Sequence, residues 1–226
     1  MNRWKRFYLT ESAGSRLPSL AVSAGERVLI GCVLMAVMLA QVVAFVLGLW
    51  HPSGNLVSYI EAHREAWWRW HTFSGMVLVA TAGAHAALFW WIIPGRGRFI
   101  GVLGGFIMAT GVALFGAGLI AEASTHWYSH SPVLTESQSH DLLTYISDHD
   151  GRLALPIVMG LVFVTVGPIV AAIGLWLSGV LSRALIVVFL VGTVAGNVIG
   201  PVSILAVLAF AVMCFVVWSR LENRQG

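Results

Sequence analysis

Charge is scarce in this chain. Of 226 residues only 10% are Asp, Glu, Lys or Arg, and 58% are hydrophobic, whereas soluble proteins average about 25% charged residues. Mean hydropathy is +0.84. A soluble core of this size cannot hide that much apolar surface, so the sequence is that of a polytopic membrane protein. There are two cysteines, Cys32 and Cys214, both inside apolar stretches. That excludes a disulfide framework and a cysteine-based zinc site. No phosphate-binding glycine loop, nucleophile elbow or 3 + 3 transporter repeat is present. The formal charge of +3 carries no nucleic-acid signal, because the basic residues cluster at the edges of apolar runs. Residues 1–27 are polar and basic and the first apolar run is long, so that run reads as a span rather than a cleaved leader.

Six apolar runs are present, at about 28–49, 70–93, 99–121, 153–177, 181–199 and 202–218. Each is near the ~20 residues that cross a bilayer. The expected fold is an all-α bundle of about six transmembrane helices, the first four forming a core. One transmembrane domain, 28–218, would lie between a basic, aromatic N-terminal segment (1–27) that suits a membrane interface and a short tail (219–226). With the N-terminus inside, ten basic residues are cytoplasmic and only Arg64, Arg69 and Arg152 are not. Lys and Arg favour the cytoplasmic side, so both termini are expected there, with loops at about 51–69 and 122–152 outside. These flanks suit a bacterial inner membrane.

His71 and His85 lie fourteen residues apart in the second run. A helix turns ~100° and rises ~1.5 Å per residue, which puts both rings on one face about 21 Å apart. Imidazoles inside a membrane are costly without a partner, so the pair asks for a function. In the third run Gly104 and Gly118 share the same interval, and glycine leaves room for a flat ligand or another helix.

Arg69-Trp70-His71-Thr72-Phe73-Ser74-Gly75, then His85, Gly104, Phe115, Gly118 and Trp127, resembles the second and third helices of cytochrome b from quinol–cytochrome c oxidoreductases. It is similar, more loosely, to the cytochrome b subunits of formate dehydrogenases and hydrogenases. The resemblance spans roughly residues 69–127. It implies that His71 and His85 ligate haem b, that Gly104 and Gly118 make room for porphyrin, and that Arg69, or Arg152, pairs with a propionate. The family carries a second histidine pair on a later helix; this sequence has no histidine after His149. His149, at the start of the fourth run, is the best counterpart of the family's later ligand for His71, with His126, His130 and His140 as competitors, and Met108, Met35 or Met38 is the neighbour of His85, which favours one haem over two. The implied function is a b-type cytochrome subunit moving electrons between quinone and a partner redox protein, within a larger membrane complex and surrounded by lipid.

A second constellation lies in the long loop. Glu122, His126 and His130 are spaced by four, and His140, Asp141, Asp148, His149 and Asp150 follow. A helical extension would align the first three on one face. Imidazole and carboxylate together suit zinc, copper or non-haem iron, which defines the alternative of an outer-face metal protein or metal enzyme. The third alternative is a cofactor-free scaffold subunit.

Overall fold

The computed structural model describes residues 23–50, 56–129, 131–149, 151–197 and 199–222. The N-terminal segment expected at the interface falls almost wholly outside them. Among the described residues the chain is helical, without strands: α1 (Ala24–Trp50), α2 (Leu56–Ile92), α3 (Arg98–Ser129), α4 (Glu136–Asp148), α5 (Gly151–Ser178), α6 (Arg183–Val194) and α7 (Ile204–Glu222). Five segments are long and apolar enough to cross a membrane: Ala24–Leu49, Ala62–Ile92, Gly95–Ser129, Ala154–Ser178 and Gly200–Leu221. This is an integral membrane protein.

Two regions differ from the sequence expectation. The fifth run, 181–199, is a shorter apolar helix, Arg183–Asn197, whose last residues form a 3-10 turn. A second 3-10 turn, Gly200–Ser203 with Pro201 near its start, leads straight into α7. Proline fixes φ and lacks an N–H, so the chain reverses there instead of extending α6. The segment expected as a loop at 122–152 is mostly helical. α3 runs on to Ser129, and α4 opens with a capping box in which Thr135 Oγ1 accepts from the Gln138 N–H and Gln138 Oε1 accepts from the Thr135 N–H. Within α2, the backbone of His63 departs from helical geometry (φ −126°, ψ 26°) and kinks the helix before its apolar part.

The five long helices and the shorter α6 pack in the order α1, α2, α3, α5, α6, α7, and α7 returns to α1. They close a ring. The core expected from the first four spans is thus completed by α6 and α7. Its tightest joint is the antiparallel pair α3–α5. Gly97, Gly104, Gly111 and Gly118 recur every seven residues, and so do Gly160, Gly167 and Gly174 on α5. A strict seven-residue interval keeps one seam aligned between two coiling helices. A Cβ on Gly104 would overlap the backbone of Ala171, one on Gly111 the backbone of Val164, and one on Gly118 the side chain of Ile157. Backbone approaches backbone along this line, as small residues allow inside a bilayer.

The two ends of the ring are chemically different. At one, Arg98 lies 3.7 Å over the Trp90 ring, Arg183 lies 4.8 Å over Trp176, and Arg220 donates from Nη1 to the carbonyls of Trp91 and Ile92 at 3.3 and 3.0 Å. Gly31 beside Trp218 brings the start of α1, with Arg27, to the same end. The opposite end carries α4. Along the axis at the arginine end, Phe89, Phe189 and Phe210 are fully buried, with ring centroids 5.5–6.5 Å apart and tilted or edge-on.

Candidate functional site

Toward α4 the axis is hollow. A cavity of about 560 Å³ lies between α1, α2, α3, α5 and the α6–α7 connection. Small-molecule sites span about 300–1,000 Å³. His71 and His85 both line it, joined by Glu122 from the α4 end of α3. Much of the remaining wall is apolar, including Leu78, Met108, Val112 and Val164.

His71 is buried, at 4% exposure. Its Nδ1–H donates to the Trp67 carbonyl at 3.0 Å, and its ring stacks on Trp67 with centroids 3.9 Å apart. A proton on Nδ1 leaves the lone pair on Nε2, and the stack fixes the ring's plane. His85, two turns before α2 ends, is fully buried. Its Nδ1–H donates to the Ala82 carbonyl at 3.2 Å, and its Nε2 accepts from the Gln41 amide of α1 at 3.0 Å. Phe210 stands edge-on to this ring at 5.7 Å. The phenylalanine cluster therefore forms the cavity's floor.

Other expected residues are used differently. Gly104 and Gly118 face α5, so the space beside them is filled by protein and none is left there for a porphyrin. Arg69 is exposed and pairs with Glu65 at 2.7 Å, outside the cavity. His149 is the exposed C-cap of α4; its Nδ1–H donates to the Tyr145 carbonyl at 2.8 Å and its ring stacks on Tyr145. It does not line the cavity that holds His71. Met108 does, whereas Met35 is 74% exposed on the outer surface of the ring and Met38 packs against the core. The helical extension expected beyond Ala121 exists, but His126 Nδ1–H donates to the Glu122 carbonyl at 2.9 Å. His140 lies with Arg64 in a surface recess at the start of α4. His130 and Asp150 lie outside the described residues. Among the described residues, no three His, Cys, Asp or Glu side chains gather as a metal site.

Gln41, Thr193, Asn197 and Ser203 also line the cavity. The expected site residues include none of them; the signal that finds Gln41 and Asn197 is a lone amide inside an apolar run, and Asn197 donates to Thr165 Oγ1 at 3.1 Å.

The haem implied by the resemblance meets a mixed donor set. His71 suits an axial ligand: a ligating histidine commonly gives its other N–H to a backbone carbonyl, as here. Fourteen residues, about 21 Å of helix, separate it from His85, so the two cannot share one iron. Among the described residues, the ionisable ones on the cavity wall are His71, His85 and Glu122, with no arginine or lysine. The side chain of Arg152 is not among those described. No protein-family model matches this chain, and neither curated proteins nor solved structures offer a similar one.

Proposed function

We propose that this chain is the b-type cytochrome subunit of a membrane oxidoreductase, exchanging electrons between quinone and a partner redox protein. The observation that supports it best is His71: buried, locked in one tautomer by the Trp67 carbonyl, and placed on the wall of the cavity. One haem b held through His71 Nε2 would supply a one-electron couple at that depth. The chain's own part is to orient and insulate. Trp67 sets the imidazole's plane and protonation. The apolar side chains beside that ring would bias the potential of a redox group held against them. Because quinone takes two electrons and two protons to become quinol, a one-electron carrier must act twice per quinone. With arginines inside, as basic flanks favour, α4 and the His71 end face outward from a bacterial cytoplasmic membrane.

The test is a pyridine haemochrome count on detergent-purified protein, beside His71→Ala and His149→Ala. About one haem b per chain, lost in His71→Ala and kept in His149→Ala, is the expected result. A porphyrin-free protein would overturn the proposal, and metal analysis of the same sample would then separate a loop metal protein from a scaffold subunit.

A further inference from the structure

Beyond His71 the cavity carries a line of polar groups that a cytochrome site does not use. Asn197 and Ser203 come from the α6–α7 connection and Thr193 from the end of α6, and Gln41 and His85 share the same wall. Each of the first three donates to the protein: Asn197 to Thr165 Oγ1, Ser203 to the Gly200 carbonyl and Thr193 to the Phe189 carbonyl. Their oxygens keep lone pairs that can accept from water. Water occupies a cavity where it finds two to four polar partners, and the polar stretch of this wall supplies them. Polar and ionisable groups within a span commonly face such cavities.

The floor makes the route one-sided. Phe210 closes on His85, and Phe89 and Phe189 are fully buried behind it. About two helical turns, roughly 10 Å, of packed side chains then separate His85 from the end of α2. Among the described residues, no titratable group reaches the cavity from α1, α5, α6 or α7, and His71 and Glu122 share it with His85.

We propose that the cavity is a water-filled vestibule, open toward the α4 end, that reaches the His85–Gln41 pair and no further. This property goes beyond the cytochrome reading and does not require it.

Thiol accessibility in sealed vesicles tests it, using single cysteines in a background lacking Cys32 and Cys214. Ser137→Cys on α4 and the exposed Arg96→Cys mark the two faces. A charged, membrane-impermeant thiol reagent should label Ser203→Cys, Thr193→Cys and Gln41→Cys from the α4 face and only at background from the arginine face. Ala209→Cys, fully buried on α7, should stay unlabelled from both. Labelling of the three cavity positions only by an uncharged, lipid-permeant maleimide would mean a dry or lipid-filled cavity and overturn the proposal. Equal labelling from both faces would overturn it as well. Ala44→Cys, on the same wall, keeps the test open if one variant fails to fold. A haem-free preparation would still give the labelling result, so the two proposals fail separately.

Discussion

At the arginine end of the ring, helices of the same apolar residue types meet around a solid axis; toward α4 they meet around a hollow one. The difference lies in side-chain size at inward positions. Phe89, Phe189, Phe210, Leu88 and Met213 fill the first half and are completely buried. In the second, Ala40, Ala44 and Gly48 recur every fourth residue on α1, and Gly192, Gly196 and Gly200 do the same through the α6–α7 connection. On α1, residues four apart share a helix face and present a narrow stripe of little bulk, while Gly192, Gly196 and Gly200 let the connection lie close against Ala206, Ser203 and Gly48, so neither segment puts a large side chain into the hollow. Hydrophobicity alone built the ring; residue volume decided which half kept a cavity. The polar residues followed the space, with His71, His85, Gln41 and Glu122 all at the hollow.

Phe210→Ala should have the largest effect on this contrast. It removes the centre of the solid half, and a buried Phe→Ala change costs about 3–5 kcal/mol. Denaturant unfolding in detergent would read the loss. It should also deepen the vestibule, so that Ala209→Cys becomes labelled from the α4 face.

A matched pair of insertions comes next. Ala209→Leu forces volume into the packed half and should cost about 1–3 kcal/mol. Ala44→Leu projects into the cavity and should cost much less while weakening whatever binds there. Equal losses from the two would erase the distinction between the halves.

The His85–Gln41 pair offers a double-mutant cycle. Gln41→Leu alone strands a fully buried imidazole nitrogen and should cost about 1–3 kcal/mol. Adding His85→Leu should restore part of that loss, because an apolar pair leaves nothing unsatisfied. Strictly additive losses would mean that the 3.0 Å contact is not a working hydrogen bond. The smallest effect belongs to Arg69→Gln. Its ion pair with Glu65 is exposed on both sides, 69% and 65%, and such pairs are worth about 0–1 kcal/mol. Thermal stability and haem content should both be unchanged, which would separate Arg69 from the propionate role that the resemblance implies.

The sequence carried the membrane class, three of the long helices within a few residues at both ends, and the shared face of His71 and His85. Those signals are periodic or compositional, and a helix transmits them directly into geometry. It also carried Thr135-x-x-Gln138, a capping signature that marks α4 inside what composition alone reads as a loop. What it could not settle was which helix each glycine faces. Gly104 and Gly118 stand at an interval that suits stacked macrocycles as well as close packing, and the choice rests on the matching glycines of α5, about fifty residues on. The role of α6 and α7 was hidden for a similar reason: their small residues mean little until the ring closes and turns them toward the axis. His149 stands where the resemblance puts a later ligand, at the start of the fourth run, but as the C-cap of α4 it is held at the surface.

The central claim is that the hollow half houses a redox carrier on His71. The most direct measurement is the reduced-minus-oxidised absorbance spectrum of the purified protein beside that of a cavity-filled variant, Val112→Trp. A sharp α band in the native chain, lost in the filled variant while its helical circular dichroism is kept, is the predicted result. An α band of equal size in both would place the carrier elsewhere, and a flat spectrum in the native chain would contradict the account.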